Sequence, residues 1–173
     1  MKNIVILSFL AIFFSCSTAH KINYTTTFNG HEKILQGIIN RSSIESDTSF
    51  PWFANNYKYA QPSIAAVETF KNKKNEFSLM VFGGTWCEDT QNLLPLFYKL
   101  IDASEYPAKK LTLVGVNRAK QSGIDSLTTK FNIKNVPTFI VLNKKGIEMG
   151  RVVEYGKYNA IDKELGEIVE KMK

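Results

Sequence analysis

The stretch that most constrains the fold of this chain lies between residues 77 and 90, FSLMVFGGTWCEDT. Its apolar run is typical of a strand that is covered on both faces of a sheet. Two glycines and Trp86 then lead to Cys87, and a helical pattern begins directly afterwards. A thiol at the start of a helix lies near unpaired N–H groups and the positive end of the helix dipole, which favour the thiolate. We therefore expect the rest of the chain to be a scaffold for Cys87.

The hydrophobic pattern around this stretch predicts an α/β chain. From residue 62 onward the predicted order is helix, strand, helix, strand, helix, strand, strand, helix. The strands are expected at residues 77–82, 111–116, 139–142 and 147–153, and the last two are joined by a turn at residues 143–146. The helices are expected from residue 62, from Cys87 to about residue 103, at 124–131 and at 160–172. In the first of them Ile64, Val67 and Phe70 lie along one apolar face. Pro95 falls inside the second helix and should kink it.

The segment before residue 62 gives weaker signals. Residues 16–30 are predicted to be a tether with at most a short strand. Residues 31–40 carry isoleucine and leucine at positions 34, 35, 38 and 39, a helical spacing that predicts a short amphipathic helix. Aromatic residues between positions 50 and 59 are interpreted either as a satellite core or as one wall of a substrate groove. Residues 31–61 would together form an N-terminal helical and aromatic extension.

The first 15 residues are predicted to be a signal peptide. A basic start is followed by an apolar run at residues 4–14, which is too short to span a bilayer. The sequence FFSCS around Cys16 resembles a bacterial lipobox, although its aromatic residues depart from the usual pattern. This resemblance implies that Cys16 is acylated and that the protein is a periplasm-facing lipoprotein, with Ser17 favouring the outer membrane. The alternative is an ordinary cleaved signal in which Cys16 is discarded or spare.

Composition excludes several classes of protein. Apolar residues make up 44% of the 173 residues and charged residues 22%, as in packed globular proteins. The net charge of +6 comes from short scattered groups of lysines, which fit solvated turns and helix ends better than a nucleic-acid surface. With two histidines and no zinc-type spacing, neither a metal site nor a cofactor is expected.

The order of elements and four local motifs resemble the thioredoxin family over residues 62–173. The motifs are Trp86-Cys87, Pro95, Val136-Pro137-Thr138 and Gly146. The resemblance implies a thioredoxin-like three-layer α/β/α sandwich with a central mixed sheet. It also implies that Pro137 is cis and faces the sulfur, and that Val136, Pro137 and Thr138 bind an extended substrate. Trp86, Cys87, Asp89 and Thr90 would then form the catalytic motif.

Departures from the family pattern bear directly on activity. Thr90 stands where the family has its second, resolving cysteine, and its hydroxyl is expected to be able to hydrogen-bond a Cys87 thiolate. Val81 replaces the family's buried acid, and Glu154 appears in place of a glycine beside the substrate groove. Asp89 is interpreted either as a helix-stabilising carboxylate or as a base for sulfur chemistry. Arg118 would balance Glu154 or Asp89, or be an exposed loop cation.

Three functional hypotheses remain open at this stage. The first is a thiol–disulfide exchange protein with one nucleophilic cysteine, acting on protein or small-molecule thiols and disulfides in cell redox homeostasis. It would be a monothiol oxidoreductase that lacks the resolving cysteine. The second is a non-catalytic protein-binding module held at the membrane by its lipid anchor. The third is a peroxide-reacting thiol that passes through a sulfenic acid. None of them involves nucleic acid.

Overall fold

A computed structural model describes residues 21–124 and 127–172. Six strands are found in this part of the chain: β1 (Asn23–Asn29), β2 (Glu32–Ile39), β3 (Phe77–Gly83), β4 (Leu111–Gly115), β5 (Thr138–Asn143) and β6 (Glu148–Val153). The helices are α1 (Ser42–Glu45), α2 (Pro51–Tyr59), α3 (Ile64–Lys73), α4 (Glu88–Ala103), α5 (Leu127–Lys130) and α6 (Ile161–Glu170). The predicted signal peptide and Cys16 lie outside the described residues.

The strands form one mixed sheet in the order β1-β2-β4-β3-β5-β6. The central pair, β3 and β4, is parallel, and every other neighbouring pair is antiparallel. The mixed sheet that the sequence predicts is thus confirmed. Because β3 is flanked on both sides, the residue that follows its carboxyl end emerges from the middle of the sheet.

Helices and loops cover both faces of the sheet. Leu79 and Val81 of β3 face the larger core, which they share with α2, α3, α4 and α6. Met80 and Phe82 face a smaller core on the other side, where residues 131–136 and the flank of α5 pack. The layers of the predicted three-layer sandwich are therefore present, and the alternation along β3 explains its continuous apolar run.

Three of the helices predicted for the carboxyl-terminal two-thirds are confirmed, with one correction, and of the one predicted at 124–131 the structure describes a helix at Leu127–Lys130. The helix α4 extends from Glu88 to Ala103 with Pro95 inside it, and α6 ends at Glu170. The correction concerns α3, in which Ile64 is exposed instead of facing the core. Helix α3 begins two residues after Pro62, and its buried residues are Ala66 and Phe70.

The predicted helix at residues 31–40 is wrong, because this segment is strand β2. It pairs with β1 on one side and with β4 on the other. Gly37 has a φ of +132°, and a Cβ atom there would lie 2.3 Å from the carbonyl oxygen of Asn23. Within the predicted tether, for which at most a short strand was expected, Asn23–Asn29 form the seven-residue strand β1. Residues 23–39 therefore form a hairpin that extends the sheet.

The aromatic segment at residues 50–59 belongs to the main core, so the idea of a separate satellite core is wrong. Phe50 and Phe53 are buried in the core that α4 also lines. Phe53 contacts the ring of Tyr98 edge-on, with 5.7 Å between the ring centroids. Tyr59, at the end of α2, is exposed.

In the described part of the chain, no helix is both long and apolar enough to cross a bilayer.

Candidate functional site

The loop that carries Cys87 depends on two glycines for its shape. A Cβ atom at Gly84 would lie 2.6 Å from the indole ring of Trp86, and one at Gly83 would lie 3.0 Å from the Thr90 methyl group. Either contact would force the neighbouring side chain to move. The loop then turns tightly, since the N–H of Cys87 donates to the carbonyl of Gly84 over 2.9 Å. The Gly-Gly pair is thus required by close packing around Trp86 and Thr90.

Cys87 is the N-cap residue of α4 and is half-buried. Its thiol donates a hydrogen bond to the carbonyl oxygen of Val136 over 3.2 Å. The peptide bond between Val136 and Pro137 is cis, which confirms the expectation for Pro137. The structure therefore brings the sulfur and the loop before β5 together, although 49 residues separate them in sequence.

Thr90 lies one turn into α4 and is buried beneath the loop. Its hydroxyl oxygen accepts a hydrogen bond from the N–H of Gly84 over 3.2 Å. The thiol of Cys87 and the hydroxyl of Thr90 consequently have different partners, and within the described residues no hydrogen bond joins the two side chains. In this arrangement Thr90 holds the loop in place.

Trp86 is fixed on both its edge and its face. The indole N–H donates to the carbonyl of Val116 over 2.8 Å. The guanidinium of Arg118 lies 4.9 Å from the centre of the ring, a cation–π distance. Arg118 also binds both carboxylate oxygens of Glu32 at 2.7 Å. The interpretation that Arg118 balances Asp89 or Glu154 is therefore wrong, because the hairpin supplies its carboxylate partner. The alternative, an exposed loop cation, agrees with its exposure.

Glu88 and Asp89 occupy the first turn of α4. Carboxylates there stabilise the positive end of a helix dipole, and this position suits the helix-stabilising interpretation of Asp89. Glu88 is exposed and Asp89 is half-buried. No hydrogen bond links Asp89 to the thiol of Cys87 in the part of the chain that the structure describes.

The loop before β5 is held from both ends. Thr138 is fully buried, and its hydroxyl donates to the carbonyl of Asn135 over 2.7 Å. On the other side, the N–H of Glu154 donates to the carbonyl of Pro137 over 2.7 Å. Glu154 has a φ of +52°, in the left-handed region where glycine is the usual residue. The predicted substrate-binding residues thus lie together beside Cys87, with the side chain of Thr138 turned inward.

Sequence reasoning missed the role of Thr85, the residue that joins the site to the hairpin. Its side chain is 4% exposed. The hydroxyl donates to the carbonyl of Lys33 over 2.8 Å and accepts from the N–H of Leu35 over 3.3 Å. Pairing of β2 with β4 begins only at Gly37, so residues 32–36 pair with β1 alone and extend beyond β4, where Lys33 and Leu35 contact the Cys87 loop. Gly30, the first residue of the two-residue turn and at a φ of +59°, was the clue available in the sequence.

The site contains one thiol and no grouped metal ligands. Among the described residues, no group of three or more His, Cys, Asp or Glu side chains could hold a metal ion. The chemistry that the arrangement offers is that of a half-buried sulfur at a helix N-terminus beside a backbone carbonyl.

Comparison with known proteins identifies the family. A family model for thioredoxin matches residues 47–165, whereas the β1–β2 hairpin lies before the matched region. No curated protein matches this chain in sequence.

Several solved structures are similar to this chain. An HIV epitope scaffold is 16% identical, with a TM-score of 0.60, and the match covers 80% of this chain and 94% of the scaffold. A protein of unknown function from Pseudomonas aeruginosa is 18% identical, with a TM-score of 0.57 and coverage of 78% and 92%. A reduced thioredoxin pre-protein from Schistosoma mansoni is 24% identical, with a TM-score of 0.41 and coverage of 61% and 88%. Because the family model matches more than half of this chain, the chain belongs to the thioredoxin family.

Proposed function

We propose that this protein carries out thiol–disulfide exchange with Cys87 as its single nucleophile. The observation that carries this proposal is the contact between the Cys87 thiol and the Val136 carbonyl, next to Pro137. An extended substrate that paired with the backbone of Val136 would bring its own disulfide to the sulfur. Cys87 is also the N-cap residue of α4, so negative charge that develops on the sulfur during the exchange would lie at the positive end of the helix dipole.

The exchange would proceed in two steps. The Cys87 thiolate attacks one sulfur of a substrate disulfide, forms a mixed disulfide and releases the other sulfur as a thiolate. Thr90 has no sulfur with which to resolve this intermediate. A second thiol, from a small molecule or another protein, then attacks the substrate sulfur of the mixed disulfide, forms a disulfide with it and releases the Cys87 thiolate. One disulfide is thereby exchanged for another, and full reduction of the substrate requires a second external thiol, so that two external thiols are oxidised to one disulfide.

The test compares Cys87 in the folded and in the unfolded chain. The full chain is incubated with glutathione disulfide, and the adduct is located by peptide mass spectrometry. We expect one adduct on Cys87 that forms several-fold faster in the native protein than in 8 M urea and is released by added thiol. Cys87→Ser is the matched control and should form no adduct at this position. Equal rates in the native and the unfolded chain would refute the proposal.

Thr90→Cys tests whether the missing sulfur limits the chemistry. A thiol at this position would lie one helical turn after Cys87, at the spacing of the family's dithiol motif. We expect an intramolecular disulfide on oxidation, and dithiol-dependent reduction of a protein disulfide such as insulin that the parent chain lacks. A variant that folds but forms no internal disulfide would show that the loop geometry does not support this chemistry.

A non-catalytic binding module is the second candidate, and the hydrogen bond of Thr90 favours it. The hydroxyl is committed to the loop backbone, as expected for a scaffold in which the second position has become structural. The two candidates differ in the effect of single substitutions. If Cys87→Ser retains the cellular phenotype while a change at Pro137 abolishes it, binding is the function.

We also propose that the protein is a periplasm-facing lipoprotein of the bacterial cell envelope, anchored through acylated Cys16 in the outer membrane. The pattern of residues 1–17 supports this location, because a short apolar run leads to a cysteine that follows a small residue. Labelling of cells with a radioactive fatty acid should mark the parent chain and leave Cys16→Ser unlabelled. Release of Cys16→Ser from the membrane fraction should accompany the loss of label, and equal labelling of both chains would contradict the proposal.

A further inference from the structure

The strand β1 is an edge strand without the features that usually protect such edges. All seven of its residues are exposed, including Tyr24 and Phe28, which are 39% and 69% exposed. The strand has no charged residue and no proline, and its pairing with β2 has no register shift. Natural proteins commonly blunt free edges with such features. Within the described residues, only β2 pairs with β1.

The opposite edge of the same sheet shows the usual protection. Strand β6 carries Glu148 and Arg151, which form an ion pair on its surface. Its pairing with β5 is interrupted by a register shift between Val141 and Leu142. Both features discourage the addition of a further strand. The contrast makes β1 the edge at which this sheet can be extended.

The sequence of β1 is nearly a palindrome about Thr26. It reads Asn-Tyr-Thr-Thr-Thr-Phe-Asn, so that each residue matches the type of its mirror position. An antiparallel copy centred on Thr26 would place Tyr24 opposite Phe28 of the copy and every threonine opposite a threonine. Aromatic pairs and threonine pairs are among the favourable cross-strand contacts. No like charges would meet.

The backbone groups of β1 point the right way for this register. Asn29 and Glu32 flank the two-residue turn of the hairpin and are direct partners. In such a hairpin these two residues exchange both hydrogen bonds, so the odd-numbered residues of β1 direct their N–H and C=O groups towards β2. The N–H and C=O groups of Tyr24, Thr26 and Phe28 are therefore directed outward. A register centred on Thr26 pairs each outward residue with another outward residue.

We propose that β1 is a dimerisation strand that pairs antiparallel with β1 of a second copy of this chain, in the register centred on Thr26. About six backbone hydrogen bonds would form between the strands. The contact is isologous, because the same strand is used on both sides, and it closes at the dimer. Two six-stranded sheets would thereby become one continuous sheet.

This arrangement is independent of the chemistry at Cys87. The turn end of the hairpin lies towards the Cys87 loop, as the contacts of Thr85 with Lys33 and Leu35 show. Antiparallel pairing directs the turn ends of the two copies in opposite directions. The two Cys87 thiols would therefore lie at opposite ends of the joined sheet and could not form a disulfide across the interface. The dimer is non-covalent and insensitive to reducing agents.

The first test measures the oligomeric state of the full chain, purified in a mild detergent with dithiothreitol present. Sedimentation equilibrium should show a concentration-dependent mass that approaches twice that of the monomer. Thr26→Lys should shift the protein to monomer, because the two-fold axis brings the introduced charges face to face. Thr25→Lys is the matched control, since its charge would face a threonine, and it should dimerise more strongly than Thr26→Lys. A monomer at every concentration, or equal dissociation of both variants, would overturn the proposal.

The second test reads the register through disulfide trapping in a Cys87→Ser background. Thr26→Cys should cross-link to itself on oxidation, because directly paired residues have Cα atoms about 5.5 Å apart, within the range of disulfides. Thr25→Cys and Thr27→Cys should not cross-link separately, but their mixture should give a heterodimer. The Cys87→Ser chain without an introduced cysteine is the control, because any cross-link that it forms must pass through Cys16. Cross-linking of Thr25→Cys to itself, or none by Thr26→Cys, would refute the register.

Discussion

Replacement of Thr85 by valine should uncouple the β1–β2 hairpin from the Cys87 loop. Valine has nearly the shape of threonine but puts a methyl group where the hydroxyl now donates to Lys33 and accepts from Leu35. Both backbone groups would lose their partner. The methyl group would also be forced towards the Lys33 carbonyl, which lies 2.8 Å from the present oxygen. We therefore expect a loss of stability together with looser attachment of the hairpin.

The size of the effect follows from the burial of the two backbone groups. Leu35 is 1% exposed, so its N–H could not turn to water, and an unsatisfied buried donor costs about 1–3 kcal/mol. Lys33 is half-buried, so its carbonyl can be partly rehydrated, and the loss there is about 0.5–1 kcal/mol. We expect the free energy of unfolding to fall by about 2–3 kcal/mol. For a chain of this length, that corresponds to a decrease in Tm of roughly 5–10 °C.

Urea unfolding of the full chain, followed by circular dichroism, gives the free energy of unfolding. Thr85→Ser is the matched control, because it keeps the hydroxyl and removes one methyl group, which costs about 0.8 kcal/mol. Hydrogen exchange at the Leu35 amide gives a local measurement and should accelerate in the valine variant alone. The bridging role of Thr85 is refuted if Thr85→Ser lowers the free energy of unfolding as much as Thr85→Val does. It is also refuted if the free energy of unfolding of Thr85→Val lies within about 0.5 kcal/mol of the parent value.

Two further predictions concern pH. Burial raises the pKa of the Tyr106 hydroxyl, so above about pH 10 the unfolded chain ionises there while the folded chain does not, and stability falls. Tyr106→Phe should therefore lose less free energy of unfolding between pH 9 and pH 11 than the parent chain. The hydrogen bond from Lys33 lowers the pKa of the Asp47 carboxyl, which stabilises the fold above about pH 4 and ceases to do so as the pH falls further. Asp47→Asn should accordingly show a smaller decrease in urea midpoint between pH 5 and pH 2.

The parts of the fold that the sequence predicted are those with one dominant local signal. Strand β3 is a run of apolar residues that ends in glycines, and both of its faces are buried. Helix α4 keeps its apolar residues on one face over four turns, and its buried residues follow that face. Helix α6 shows the same pattern. In such segments the local pattern and the tertiary packing favour the same structure, so a single sequence is informative.

The wrong prediction at β2 arose because the local pattern fits two structures. Ile34, Leu35, Ile38 and Ile39 have the spacing of a helix face, yet all four are buried in a strand whose two faces are covered. Such a strand lacks the alternation of polar and apolar residues by which strands are usually recognised. Pairing with β1 and β4, which lies outside the local window, decides the outcome. Gly37, which costs stability in a helix interior, was the residue that argued against a helix.

The same long-range pairing explains which part of the site could be predicted. Cys87 and Pro137 were found because each belongs to a short motif. The partners of Thr85 and Arg118 depend on the register of β2, so neither could be inferred without the strand. Glu32 holds Arg118 against the Trp86 ring, and the backbone of β2 holds Thr85. The hairpin, which lies before the part of the chain matched by the family model, therefore supports both Thr85 and Trp86, the two residues that precede Cys87.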